Sequence, residues 1–303
     1  MMPFRMVCLL APLLLPTLAF LFQKPAPPPH KGKGETEQQT ASITQCSIRN
    51  DAFEPGEELV YKLYYNWNFV WMAAGEVVFR VRDLGDRYHV SAHGSTYPSY
   101  EWFYKVNDKY DTYLDKKTLL PTVSVRSVAE GKYRLYDKLT FDRPKNTLTS
   151  LRGKSRDSAT PSEYPVEPCV HDLLSIIYFA RNIDFSTLEK GSAVPIKIFM
   201  DQTTWPLRLR YQGKNPDKHI HKLGRFKTIL FSPDVIKGYV FKEDDKLKVW
   251  ASDDKNHLPL LIESPISVGS VKVVLKSYSG LKYPLSAKVA PDEGSPDGTL
   301  PKE

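Results

Sequence analysis

One stretch limits what this chain can fold into: Cys169-Val-His-Asp-Leu-Leu-Ser-Ile-Ile-Tyr-Phe-Ala-Arg181. It is the one strong helix candidate beyond the N-terminus, and strand-like segments lie on both sides of it. Pro165 and Pro168 stop the segment before it, Asp172 stands where an N-cap would, and Ser175 follows three residues later. Leu173, Leu174, Ile176, Ile177, Tyr178, Phe179 and Ala180 leave almost no polar face. A helix that is apolar nearly all round is buried. Residues 170–182 are therefore expected to form a plug or lid packed against a curved sheet.

The flanking sequence reads with a period of two. Leu59, Tyr61, Leu63, Tyr65 and Trp67 alternate with Lys62 and Asn66 after the turn Phe53-Glu-Pro-Gly-Glu57. A second strand is expected to start at Ala74-Gly75, with Val77, Phe79 and Val81 on one face, and Tyr88, Val90 and Ala92 follow the turn 83–86. The aromatic run 102–106 and Tyr110–Leu114 read as further strand, and Ala129-Glu-Gly-Lys132 as a hairpin turn. Tyr133, Leu135, Leu139 and Phe141 continue the alternation, and 152–162 reads as a polar loop. Strands resume at Val194–Phe199, Leu207–Tyr211, Phe226–Phe231, Leu247–Trp250, Leu258–Glu263 and Val271–Leu275. Many short strands at short intervals pair antiparallel. The expected fold is mainly β: a curved antiparallel sheet or partly open β-barrel with one buried helix. Because that helix divides the strands, two pseudo-duplicated sheets are an alternative.

Residues 1–22 read as a signal peptide, with Arg5 ahead of an apolar run that Pro12 and Pro16 interrupt; an uncleaved N-terminal anchor is the alternative. Residues 23–46 have the composition of a disordered linker, 47–288 of a single β domain and 289–303 of a disordered tail. The expected location is the periplasm. Removing the signal takes the formal charge from +7 to 7 − 1 = +6, since Arg5 is its one charged residue. The basic residues alternate with Asp and Glu along the strands, as on a solvated sheet face, so no nucleic-acid module is expected. Cys46 and Cys169 outlast the signal, and in an exported chain such a pair suggests a disulfide.

Few residues suggest chemistry. His171, Asp172 and Ser175 hold the residue types of a nucleophilic triad, but no strand–turn–helix elbow surrounds Ser175, and helix capping explains them. His219 and His221 could share a strand face as metal ligands do, although no acidic partner is signalled. His89 and His93 read as sheet residues; Asp253-Asp254 and Glu243-Asp244-Asp245 read as solvated turns. No catalytic residue, metal or cofactor is expected. The segment Trp67–Met72 reads as an apolar loop, and Trp67, Phe69 and Trp71 are candidate ligand-binding residues as a lip over a hydrophobic pocket or against lipid.

Phe53-x-Pro-Gly-Glu57-x-Leu-x-Tyr61, Ala74-Gly75, Asp172-x-x-Ser175 with Arg181, Val249-Trp-Ala-Ser-Asp253 leading to Pro259, and Ile266-x-x-Gly269-Ser-Val271 together resemble the DUF3108 family of exported bacterial proteins. The likeness covers about 48–280, and the Asn-, Tyr- and Trp-rich first strand resembles members from Bacteroidetes-like bacteria. It implies a β-rich exported protein and no reaction. Arg181 would satisfy the last carbonyls of the helix or pair with a buried carboxylate. The expected function is non-enzymatic binding of a hydrophobic or lipid-like envelope component, such as a lipid or lipid-linked glycan, with peripheral membrane contact. A structural or assembly factor binding another envelope protein is the alternative, and a hydrolase of envelope polymers the third.

Overall fold

Two runs of antiparallel strands spread in opposite directions from one central pair. The first run comprises β1 (Glu58–Trp67), β2 (Val70–Asp83), β3 (Arg87–Thr96), β4 (Asn107–Asp115), β5 (Pro121–Glu130), β6 (Tyr133–Asp142), β7 (Thr147–Gly153) and β8 (Thr160–Pro165). After β9 (Val170–His171) and the helix α1 (Leu173–Ala180) come β10 (Ala193–Met200), β11 (Thr203–Ile220), β12 (Gly224–Pro233), β13 (Lys248–Ser252), β14 (Pro259–Pro265), β15 (Ser270–Ser279) and β16 (Lys288–Ala290). The structure, a computed structural model, describes residues 46, 48–67, 70–102, 104–234, 247–265 and 270–290.

All strands join one sheet, in the order β8 through β1, then β15 down to β9, with β16 beside β12. The pair β1–β15 therefore joins the two halves, with Leu63 opposite Val273 and Tyr65 opposite Val271. A pair of separate sheets does not form, because β1 spends both of its edges on ladders, one with β2 and one with β15. Among the described residues only β9–β10 is parallel. Register shifts in several ladders, including β1–β2 and twice in β11–β12, bend the sheet.

The curl brings the two far ends of the sheet together without backbone closure. The Tyr164 ring of β8 lies 5.3 Å from the Phe199 ring of β10. Lys197 pairs with Glu167, and Leu139, Phe141 and Leu148 share a cluster with Val170 and Phe199. Helix α1 sits inside the curl. Leu174 and Tyr178 face the apolar wall built from β1 to β5, Phe179 the wall from β10 to β13, and Leu173 and Ile176 pack on Ile198 and Met200. A surrounding wall is why this helix needs no polar face.

Local differences from the sequence reading have simple causes. β2 starts at Val70, so Trp71 and Met72, expected in an apolar loop, are strand residues opposite Asn66 and Tyr65. Gly75 lies inside β2 where the strands crowd: a Cβ there would stand 2.3 Å from the Ser95 carbonyl oxygen. The described residues of the aromatic run 102–106 hold no strand beyond an isolated bridge from Val106 to Glu130. Conversely, the polar stretch ending at Pro165 does form a strand, β8, because the sheet edge it occupies faces water. The helix is shorter than 170–182, since β9 takes Val170 and His171. β16 carries the domain to Ala290, two residues beyond the expected 288. The signal peptide, most of the linker and the tail beyond 290 lie outside the described residues.

Candidate functional site

Antiparallel alternation sends the connections β1–β2, β3–β4, β5–β6, β10–β11 and β14–β15 to one end of the sheet. The turn before β1, the β13–β14 turn and the C-terminus of α1 meet at the other. That second end is shut by an ion pair. Arg181 donates from Nη1 to Glu57 Oε1 at 2.6 Å, from Nη2 to Glu57 Oε2 at 2.8 Å and to the Ala52 carbonyl, and from Nε to the Asn256 carbonyl. Both side chains are almost wholly buried, and the guanidinium lies over the rings of Phe53 and Tyr178. Burial opposes its charge, but the Glu57 carboxylate outweighs burial and holds the Arg181 pKa above the ordinary range. The sequence left Arg181 two roles, and the buried carboxylate takes it.

A disulfide joins Cys46 to Cys169, with Cα atoms 4.8 Å apart. At the start of α1, Asp172 Oδ1 accepts from the backbone N–H of Leu174 and Ser175 and from the Thr112 hydroxyl, while Ser175 Oγ accepts from the Asp172 N–H. This is a reciprocal capping box. His171 Nδ1 lies 3.1 Å from Ser175 Oγ. Burial, with Arg143 nearby, pushes the His171 pKa down to about 3. A neutral, enclosed imidazole beside a capping serine holds the chain in place and meets no solvent-borne substrate.

Between α1 and the other end lies a wall of different chemistry. Asp108, Tyr110 and Thr112 of β4, Ser124, Arg126 and Glu130 of β5, Asp137 of β6 and Ser150 of β7 are all buried on the inner face. Cross-strand register puts Asp137 opposite Arg126 on one side and Arg152 on the other. Arg152 donates to Asp137 at 2.6 Å and to Asp201, in the β10–β11 turn, at 2.8 Å; Arg126 also donates to Asp201 at 2.5 Å. Burial works against the Arg126 charge, but Asp201, Tyr110 and Asp137 outweigh it and raise its pKa. This network spans the gap between the first strand run and the second.

Beside it, burial and the neighbouring Asp108 carboxyl push the Glu130 pKa up to about 9, and burial raises that of Asp108 as well. Glu130 Oε1, the Tyr110 hydroxyl and Asp201 Oδ2 are buried and have no hydrogen-bond partner. Two aromatics flank the carboxyl pair on the side of the β5–β6 hairpin. Burial, with Glu130 and Asp108 near, pushes the Tyr104 pKa up to about 12. Burial also raises that of Tyr133, which feels Arg152, Asp201, Arg126 and Glu130.

The sequence-based candidates fall elsewhere. Trp71 is partly exposed near the same end, with the Lys272 ammonium 4.6 Å from its ring centroid. Phe69 and the side chain of Trp67 lie outside the described residues. Trp102 is 82% exposed in the β3–β4 connection. His89 bonds Asp111 and His93 bonds Asn107 across the β3–β4 ladder. His219 is the penultimate residue of β11, opposite Arg225, and His221 begins the turn that follows. Asp253 pairs with Lys214, Asp254 holds the β13–β14 turn, and 243–245 lie outside the described residues. Among the described residues no group of three His, Cys, Asp or Glu side chains is placed to hold a metal ion.

Sequence reasoning missed the polar wall. Its signal was present: Asp137 occupies the parity of Leu135 and Leu139, and Arg126 that of Val128, so charges stand where a core residue is due.

The sequence model of one family, described as proteins of unknown function (DUF3108), matches residues 60–276. The chain belongs to the DUF3108 family. Among solved structures, it is similar to a β-barrel-like protein of the domain of unknown function DUF1849 from Brucella abortus, at 7% identity and a TM-score of 0.52. That likeness covers 77% of this chain and 99% of the other, and it concerns the fold alone. No curated protein matches the chain.

Proposed function

We propose that this DUF3108 protein is exported to the periplasm and there holds a hydrophobic or lipid-like envelope component without transforming it, at the end of the sheet that α1 leaves unplugged. The carrying observation is the asymmetry of the two ends. One is shut by α1, Phe53 and the Glu57–Arg181 pair; the other carries exposed Trp71 and Trp102 and a wall in which Tyr110, Glu130 and Asp201 each keep one buried atom without a partner. Exposed tryptophans suit peripheral contact with a membrane, since the ring is apolar and its N–H remains wet. Export rests on the N-terminal composition and agrees with the Cys46–Cys169 disulfide.

Native mass spectrometry of detergent-free protein from its own periplasm tests this reading. A stoichiometric lipid-sized adduct is the expected result; a bare polypeptide mass from repeated preparations would overturn it. The assembly-factor alternative looks to β8, whose outer edge is open. Pro161 and Pro165 lie in that strand, so at their parity only Glu163 keeps an outward N–H. Strand addition there would be weak.

A further inference from the structure

Buried polar atoms in folded proteins nearly always have partners, and one left alone is costly because its lost hydration is not replaced. Of the eight such side-chain atoms among the described residues, three stand on β4, β5 and the β10–β11 turn, where one bound group could satisfy them together. The Tyr110 hydroxyl lies within electrostatic reach of Arg126, Asp108, Glu130 and Asp201, so these residues form one neighbourhood. Its unpaired atoms are Glu130 Oε1, Tyr110 Oη and Asp201 Oδ2.

Which chemistry fits follows by elimination. An anion would meet Asp108, Glu130, Asp137 and Asp201, and both guanidiniums are already spent on Asp137 and Asp201. A metal ion would need a cluster of ligands that the described residues do not supply, and would sit against Arg126. A neutral hydroxyl-bearing group fits, water or a polyol: either can donate to Asp201 Oδ2 and both donate to and accept from the Tyr110 hydroxyl and a protonated Glu130. Burial favours that protonated form of Glu130, with Asp108 beside it. A polyol such as a sugar also has a C–H face that aromatic rings cover, and two aromatics stand at the adjacent rim: the Tyr104 ring lies against Gly131, and Tyr133 is 40% exposed.

We infer that the buried polar corner formed by Asp108, Tyr110, Glu130 and Asp201 binds the neutral sugar head of an amphipathic ligand. This deepens the proposed function and rests on it for the apolar part of the ligand. Isothermal titration of the full exported chain with three probes separates the two ideas: n-dodecyl maltoside below its micellar concentration, n-dodecylphosphocholine likewise, and free maltose. The expected result is at least tenfold tighter binding of the maltoside than of the phosphocholine. Tyr110→Phe should abolish most of that preference while leaving the folded protein intact, because the hydroxyl it removes bonds nothing in the chain.

Equal binding of the two dodecyl compounds, unchanged by Tyr110→Phe, would overturn the sugar site and leave the amphiphile reading standing. Maltose bound as tightly as the maltoside, with no phosphocholine binding, would leave the sugar site standing and overturn the amphiphile reading. Binding of none of the three would overturn both.

Discussion

The two ends of the curled sheet treat buried charge in opposite ways. At the closed end, Arg181 donates from all three guanidinium nitrogens, and Glu57 receives with both oxygens. At the polar wall, Arg126, Arg152, Asp137 and Asp201 also pair, yet Glu130, Tyr110 and Asp201 keep an unpaired atom each. A buried network whose charges are fully paired fixes a geometry; the incomplete one is where the proposed ligand would supply the missing partners. The closed end keeps one such atom too, the Tyr178 hydroxyl, but the ion pair itself is complete.

Breaking the closed end should have the largest effect. Arg181→Ala, or Glu57→Ala, leaves a buried charge without its partner and is expected to destabilise by about 3–5 kcal/mol, read as a lower urea midpoint. A loss below about 1 kcal/mol would mean that this end is wetter than its geometry implies. Replacing Cys46 and Cys169 by serine removes a link between residues 123 apart. In the chain-entropy model it is expected to cost about 2–5 kcal/mol, seen as the same fall in Tm when the wild type is reduced.

Asp172→Ala removes a cap that also bonds Thr112. It is expected to lose about 1–2 kcal/mol, with Asp172→Asn retaining most of the stability because an amide oxygen can still cap. Equal losses for the two would show that charge matters there.

pH sharpens the comparison. The Glu130 pKa is pushed up to about 9 in the folded chain, from an ordinary glutamate value of 4.5, so between those values the folded state holds the extra proton. Stability should therefore fall as pH rises through that window, and Glu130→Gln should flatten the slope. His171 works the other way: its folded pKa of about 3 lies below 6.5, so the unfolded state takes the proton first and stability falls as pH drops through that range. Chemical denaturation at pH 5, 7 and 9 reads both limbs, and a Glu130→Gln slope identical to wild type above pH 7 would remove the buried carboxyl pair as its cause. The smallest effect belongs to Tyr110→Phe. Its stability is expected to stay within about 0.5 kcal/mol of wild type or to rise, since an unpaired hydroxyl leaves the core.

Much of this was legible in the chain. Period-two alternation located most of the strands. The lack of a polar face on Leu173–Ala180 announced a buried helix, and Asp172 with Ser175 announced its start. The motif Phe53-x-Pro-Gly-Glu57 marked the turn at the closed end, although nothing local said that Glu57 would meet Arg181, 124 residues away. The edge strand β8 and the early start of β2 were misread because strand identity there comes from a neighbouring ladder, not from local alternation.

The sequence by itself determined the class of fold, the buried helix and its cap, because these follow from periodicity and from hydrogen bonds between residues a few positions apart. Only the tertiary structure decided that β1 pairs β15, that the sheet curls until Arg126 and Arg152 reach Asp201, and that the atoms left over on Tyr110, Glu130 and Asp201 gather in one corner. Those outcomes depend on where distant strands come to lie. Whether a buried group is paired is a property of its three-dimensional neighbours, on which the local sequence is silent.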